Sequence, residues 1–165
     1  MRHGLEALGT RMQVLQGDRI GKGTTLSVGA AGIIFDEKHE KILLTRRSDN
    51  GRWCLPGGRM DAGESASECC IREVWEETGL KVQIVRLVGI YTTPHMIIQY
   101  KDGNRHQIVS MTFECRVIGG TAGLSNETTE IGWFTPREIE SMDLIEFHRE
   151  RIADVMANQT AAFIR

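Results

Sequence analysis

The chain has 165 residues and a formal net charge of −2, with 41% apolar and 25% charged residues. This length suits one folded domain, and the composition excludes a disordered chain. The balance of 20 basic against 22 acidic residues argues against a protein held to nucleic acid by phosphate contacts. The longest mostly apolar stretch, residues 27–35, is far too short to span a membrane, and the N-terminus lacks the apolar core of a signal peptide. The four cysteines lack the spacing of a zinc site. We therefore expect a cytoplasmic protein with free thiols and with neither nucleic-acid nor membrane partners.

Residues 1–22 are polar and interrupted by glycines, which predicts an N-terminal arm with one helical turn within residues 5–15. Residues 23–165 are predicted to form a single domain. Runs of β-branched and aliphatic residues predict strands at residues 24–36, 41–47, 81–93, 95–102, 106–120 and 131–134. Helices are predicted at residues 65–78, from Thr135 onward and at 144–156. Strands interrupted by helices indicate an α+β protein with a mixed sheet.

The first predicted helix carries an acidic face. Glu73, Glu76 and Glu77 stand at i, i+3 and i+4, so they share one face near the end of the helix. These like charges repel one another and oppose the negative end of the helix dipole. A bound divalent cation would reverse both penalties, whereas the alternative is a solvated acidic patch. Ile71 and Val74 are predicted to turn toward the sheet.

A glycine-rich loop precedes this helix. Its sequence, Leu55-Pro56-Gly57-Gly58, fits neither a strand nor a helix. Such a loop can direct backbone carbonyl groups at a cation or N–H groups at a phosphate. Glu64 and Arg72 are eight residues apart, on a different sector of the helix from the three glutamates. They are a candidate ion pair between loop and helix.

These residues resemble the Nudix box, G-x5-E-x7-R-E-U-x-E-E-x-G-U with U aliphatic. The match includes every specified position: Gly58, Glu64, Arg72, Glu73, Val74, Glu76, Glu77, Gly79 and Leu80. The resemblance implies a Nudix-type α/β/α sandwich around a mixed β-sheet and hydrolysis of a diphosphate linked to another moiety, with Mg²⁺ or Mn²⁺ as cofactor. It further implies metal ligands at Glu73, Glu76, Glu77 and the Gly57 carbonyl. Supporting structural roles are implied for Gly58, Glu64, Arg72 and Gly79.

Further candidates lie outside the box. Arg46, Arg47, Arg52 and Arg59 surround the glycine-rich loop, and Arg47 and Arg59 are the predicted phosphate contacts. The loop at residues 121–130 contains Glu127 and Glu130. Related Nudix enzymes often supply from this loop a glutamate that binds metal or activates water. We predict this role for Glu127, with a solvated loop as the alternative, and catalytic roles for Glu73 and Glu76; which glutamate is the general base stays open.

The substrate is predicted only as a class of small nucleotide. In the family, a proline beyond the box is associated with ADP-ribose cleavage, and Pro94 lies in about that region. This favours a nucleoside diphosphate linked to another moiety, such as ADP-ribose, with a (d)NTP as the alternative. Tyr91 and Tyr100 could stack on a base or serve as packing residues.

A catalytically idle module that binds a nucleotide or a protein is the other class of function, although such members usually lose box glutamates. The N-terminal arm could support a homodimer.

Overall fold

A computed structural model describes residues 12–100 and 102–165. Its strands are β1 (Gln13–Gln16), β2 (Thr25–Ile34), β3 (Ile42–Arg47), β4 (Trp53–Cys54), β5 (Gly57–Arg59), β6 (Leu80–Thr92), β7 (Met96–Gln99), β8 (Arg105–Gly120), β9 (Thr128–Phe134) and β10 (Phe163–Ile164). Its helices are α1 (Ala66–Thr78), α2 (Pro136–Glu140) and α3 (Glu146–Met156). The predicted strands and helices are thus confirmed from residue 24 onward. None of the helices in the described ranges is long and apolar enough to cross a membrane.

The strands form two sheets. The larger has the order β1-β7-β8-β2-β5, with β6 paired to β8 and β10 paired to β6. Strands β2 and β8 run parallel, as do β6 and β10, while the other pairs are antiparallel. The smaller sheet, β4-β3-β9, is antiparallel. The predicted mixed sheet is therefore confirmed.

Helices cover both faces of the central strands, as expected for an α/β/α sandwich. Ile33 and Ile34 are adjacent in β2, point to opposite faces and are both completely buried. Ile33 belongs to a core cluster with Ile152 of α3, and Ile34 to a second cluster with Val74 of α1. Strands that are buried on both faces read as nearly continuous apolar runs, which explains the sequence of β2. The predicted fold class is confirmed.

Local sequence signals set both ends of α1. Ser65 and Glu68 form a capping box at its start, and Gly79 ends it in the left-handed region at φ 73°. Val74 is completely buried, as predicted, but Ile71 is 37% exposed, so the prediction that it faces the sheet is wrong. The buried stripe includes Cys70 and Val74, four residues apart. Ile71 follows Cys70 and is rotated by about 100° from it, which turns its side chain outward.

The helical turn predicted near the N-terminus is wrong for its described part. Gln13–Gln16 is an edge strand that pairs antiparallel with Met96–Gln99. The chain then stays close to the next loop, because the N–H groups of Gly17 and Gly21 donate to the carbonyls of His95 and Pro94. Pairing along this edge satisfies backbone groups that an isolated helical turn would leave to water. Residues 5–11 of the predicted turn lie outside the described residues.

Candidate active site

A cleft of about 460 Å³ lies where α1, the glycine-rich loop, β7, β8 and α3 meet. Four glutamates contribute to its lining and are called the acidic wall: Glu73, Glu76, Glu77 and Glu127. Residues from β7, from the position directly after it and from α3 form another part, called the distal wall: Ile98, Tyr100, Phe147, His148 and Arg151. Gly57, Gly58, Arg47, Arg59 and Arg72 also line the cleft. The fold thus brings the box glutamates together with Glu127, about fifty residues later in the chain.

Glu77 is the most deeply placed carboxylate of the acidic wall. It is only 5% exposed, and it accepts a hydrogen bond of 3.1 Å from the N–H of Gly57. Burial raises the pKa of Glu77 to about 8, and the charges of Glu73 and Glu127 add to this rise. A carboxylate in this position favours a cation beside it.

Arg72 connects the loop to the acidic wall. It donates to both carboxylate oxygens of Glu64, so the candidate ion pair is present. Its Nη1 also donates to Glu73 at 2.8 Å and to Glu76 at 3.0 Å. The prediction that Arg72 lies apart from the three glutamates is therefore wrong. Its long side chain reaches both the adjacent residue and the one four positions later, which is its neighbour on the helix surface.

Gly58 and Gly79 lie so close to neighbouring groups that a side chain at either position would collide with them. A Cβ on Gly58 would collide with the carboxylate of Glu73, and one on Gly79 would collide with the carbonyl of Thr121. Gly57 and Gly58 belong to β5 and pair with β2 opposite Ala31 and Ala30, so the prediction that this segment fits no strand is wrong for these two residues. The two box glycines therefore let the loop and the helix end lie directly on their neighbours.

The acidic wall has the right donor chemistry for a divalent cation. Burial raises the pKa of Glu73, the Arg72 guanidinium opposes the rise, and the charges of Glu76 and Glu127 add to it. Hard carboxylate oxygens are the ligands that Mg²⁺ and Mn²⁺ prefer. Within the described ranges, no three such side chains are already arranged as a metal cluster. Glu73 and Glu76 contact Arg72 instead, so binding a cation would require these two side chains to turn from the guanidinium.

The two glutamates of the loop predicted at residues 121–130 differ in position, because β9 begins at Thr128 and includes Glu130. Glu127 lines the cleft, and its backbone is fixed on both sides, since its N–H donates to Ser125 Oγ and its carbonyl accepts from the Ser48 N–H. Glu130 does not line the cleft, and its carboxylate forms an ion pair with Arg46. This geometry favours Glu127 over Glu130 for the predicted role.

The four arginines near the loop also divide into two groups. Arg46 and Arg52 are engaged with Glu130 and with residues at the start of α3, and neither lines the cleft. Arg47 lines the cleft, although its Nε and Nη2 donate to Asp49 at 2.9 and 2.8 Å. Arg59 lines it with a side chain that has no hydrogen-bond partner in the described part of the protein. Arg59 is therefore the arginine with the most donors available to a phosphate.

Several other candidates do not reach the cleft. Tyr91 is buried with its hydroxyl donating to Asp154 at 3.1 Å, which is a packing role, whereas Tyr100 lines the cleft. Pro94 does not line it, and its carbonyl accepts from Gly21.

His148 and Arg151 were not predicted as site residues. Their i, i+3 spacing places them on one helix face, but nothing local relates that face to the box.

Comparison with known proteins places this architecture in a family. The model of the NUDIX domain matches residues 25–157. A MutT-like protein of Streptomyces ambofaciens is 37% identical over 79% of this chain and 77% of its own length. An ADP-ribose pyrophosphatase of Methanocaldococcus jannaschii is 34% identical over 76% of this chain and 70% of its own length. The crystal structure of a MutT protein from Methanosarcina mazei superposes with a TM-score of 0.66 and 27% identity, covering 84% of this chain and 99% of that one.

The class defined by this fold and cleft is that of enzymes that hydrolyse pyrophosphate bonds. The chain belongs to the Nudix family. It is a Nudix pyrophosphohydrolase, and enzymes of this family generally use divalent metals.

The contacts of Arg72 lead to a first testable prediction. The bonds from Arg72 lower the pKa of the Glu64 carboxyl to about 2. Glu64 therefore competes with Glu73 and Glu76 for the Arg72 guanidinium. In a Glu64→Gln variant, Arg72 loses its ion pair with Glu64 and keeps its bonds to the acidic wall. Its positive charge there disfavours the binding of a metal cation. We expect the Mg²⁺ concentration for half-maximal activity to rise about 10–100-fold, as for other residues that orient metal ligands. A Mg²⁺ titration of the steady-state rate measures this.

The control is Glu140→Gln, which removes a carboxylate on α2 outside the cleft. An unchanged Mg²⁺ dependence in Glu64→Gln would mean that the ion pair does not control the acidic wall.

Proposed function

We propose that this Nudix enzyme uses Mg²⁺ or Mn²⁺ to cleave the diphosphate of a nucleoside diphosphate linked to another moiety, with ADP-ribose as the representative compound. The observation that carries this proposal is the meeting of the four glutamates of the acidic wall with Arg47 and Arg59 in one cleft. Carboxylates provide for the cation and arginines for the phosphates, which together are the groups that diphosphate hydrolysis requires. The archaeal relative named as an ADP-ribose pyrophosphatase adds support.

Glu73, Glu76 and Glu77 would hold the cation, with the carbonyl of Gly57 as a further ligand. The bound cation would neutralise charge on the diphosphate oxygens and lower the pKa of a bound water. Arg59, and the part of Arg47 not engaged by Asp49, would position the phosphates. Glu127 would accept the proton of the attacking water. Arg72, held by Glu64, would leave Glu73 and Glu76 free to bind the cation.

The test is a substrate panel with product analysis by chromatography. The panel contains ADP-ribose, nucleoside diphosphate sugars, dinucleoside polyphosphates and nucleoside triphosphates, each with Mg²⁺, with Mn²⁺ and with excess EDTA. We expect cleavage within the diphosphate of a diphosphate-linked compound and no turnover in EDTA. Cleavage restricted to triphosphates would contradict the proposed substrate class. Nucleotide binding without turnover of any compound would instead favour an idle binding module.

A cytoplasmic location is also proposed. Cys54, Cys69, Cys70 and Cys115 are all buried and free. Free thiols persist in reducing compartments. The predicted homodimer stays a prediction, and size-exclusion chromatography with light scattering would test it.

A further inference from the structure

Arg151 in the distal wall is a buried cation with no matching anion among the described residues. The residue is only 5% exposed, and its buried Nε has no hydrogen-bond partner within residues 12–100 and 102–165. No carboxylate in the described ranges forms an ion pair with it, since the nearby Asp154 is bonded to Arg165 and Tyr91. Burial lowers the pKa of Arg151 to about 10, so the guanidinium is still charged at neutral pH. An unpaired buried guanidinium is unfavourable in the free protein.

The aromatic neighbours of Arg151 restrict how a ligand can approach. The guanidinium carbon lies 5.1 Å from the ring centre of Tyr91 and 5.0 Å from that of Phe147. These rings stabilise the cation through its faces. The N–H groups at its edge are left to bind a ligand, and a guanidinium edge suits two adjacent acceptor atoms in one plane.

His148 adds a second polar group to the same wall. It is buried, and its ring lies 4.5 Å from that of Phe147. Its Nδ1 has no hydrogen-bond partner in the part of the chain that the structure describes. Burial lowers the pKa of His148 well below its ordinary value, and the charge of Arg151 lowers it further. The imidazole is therefore neutral at physiological pH and offers one donor and one acceptor nitrogen.

Apolar side chains lie beside these two groups, and the charges of Arg47 and Arg52 also act on His148. Ile98, Ile108, Ile145 and Phe147 line the cleft with them. A second phosphate would have to lose its hydration against these aliphatic side chains, whereas a flat heteroaromatic ring would bury its faces favourably. Apolar walls with a few precisely placed polar groups are typical of sites for small molecules. The distal wall therefore fits a nucleobase.

We propose that Arg151 and His148 make the enzyme selective for nucleotides with a 6-oxopurine base over those with a 6-aminopurine base. The inference rests on the proposed function and specifies the base of its substrate. ADP-ribose, an adenine compound, would then be cleaved more slowly than its 6-oxo analogue. A 6-oxopurine presents O6 and N7 as adjacent acceptors, the pair that arginine recognises with two hydrogen bonds. Its N1–H is a donor that the acceptor nitrogen of His148 complements. Adenine presents a donor at N6 and an acceptor at N1, so it reverses both positions.

The experiment compares pairs of substrates that differ only in the purine edge. ITP is compared with ATP, and ADP-ribose with its deaminated 6-oxo analogue, in the wild-type enzyme. We expect kcat/KM to be higher for the 6-oxo member by about tenfold or more, the scale of one bidentate contact. Equal values, or a preference for adenine, would overturn the inference while leaving the proposed hydrolysis intact. No turnover of any compound would count against the proposed function itself.

Two variants test whether Arg151 is the source of this selectivity. Arg151→Met should bring the ratio close to one, mainly by raising KM for the 6-oxo substrates with little change in kcat. Arg151→Lys should also lose most of the ratio, because an ammonium lacks the planar pair of donors. Arg116→Met is the matched control, since Arg116 is exposed on β8 and outside the cleft, and it should keep the ratio. A ratio retained in Arg151→Met would overturn the assignment.

A stability measurement separates recognition from a structural role. Replacing a buried unpaired guanidinium by an apolar side chain of similar size should leave the Tm unchanged or raise it. If Arg151→Met does not fold, the wild-type comparison and Arg151→Lys still decide whether Arg151 recognises the base.

An adenine nucleotide with an extra phosphate on its ribose serves as the other probe. If it were cleaved better than the 6-oxo substrates, Arg151 would be a phosphate site and the inference would be wrong.

Discussion

A Glu77→Gln variant is expected to lose about a hundredfold or more in kcat/KM at saturating Mg²⁺. Glu77 is the deepest carboxylate of the acidic wall, and glutamine keeps its shape while removing the charge that a cation would meet. A metal ion contributes several kcal/mol to stabilising the transition state, and each 1.4 kcal/mol is about tenfold in rate. Steady-state kinetics with the best substrate of the panel measure the loss. Activity within a few-fold of wild type would exclude Glu77 as a ligand.

The same variant should be more stable than the wild type when metal is absent. The pKa of Glu77 is raised from its ordinary 4.5 to about 8, so the folded state binds the proton more tightly than the unfolded state. Between these values stability falls as pH rises, because folding then requires an unfavourable buried charge. Glutamine carries no such charge. In EDTA we expect similar Tm values near pH 4.5 and a Tm advantage for Glu77→Gln that grows up to about pH 8.

Thermal unfolding followed by circular dichroism across this pH range gives the comparison. A lower Tm of Glu77→Gln throughout the range would mean that Glu77 is structural, and the loss of activity would then need another explanation. Added Mg²⁺ should stabilise the wild type more than the variant, since a ligand that binds only the folded state raises stability in proportion to its affinity.

A Glu127→Gln variant is expected to lower kcat by about a hundredfold or more, with little change in KM. This is the usual scale for a general base that acts after the substrate is bound. The carboxylate of Glu127 lines the cleft, and its negative charge contributes to the raised pKa values of Glu73 and Glu77. Its backbone is fixed by Ser48 and Ser125, so a substitution of the side chain leaves the loop in place.

Glu130→Gln is the matched control for Glu127→Gln. It lies three residues further along, forms an ion pair with Arg46 at the surface and does not line the cleft. Exposed ion pairs contribute little to stability, so kcat should stay near that of the wild type. An inactive Glu130→Gln with an active Glu127→Gln would reverse the assignment. If both variants are active, the base lies among the box glutamates.

The sequence by itself determined the elements whose geometry is local. The spacing of Glu73, Glu76 and Glu77 places them on one helix face, because the helical period is the same in any fold. Ser65 and Gly79 set the ends of that helix through backbone hydrogen bonds within a few residues. The alternation of apolar runs and turns was sufficient for the long strands from β2 onward, and therefore for the fold class. It missed β1, which was predicted as a helical turn, and the short strands β4, β5 and β10.

Only the tertiary structure decided which distant groups meet. Arg72 spans the loop and the acidic wall because the loop packs on β2, and no spacing rule shows which acceptors a long side chain will reach. Glu127 enters the cleft while Glu130 pairs with Arg46, a difference that depends on how β9 registers against β3. Arg151 reaches the cleft because α3 packs against β6, with Tyr91 beneath the guanidinium. Helical periodicity identifies one face of α3, but the long-range packing of apolar surfaces decides what that face meets.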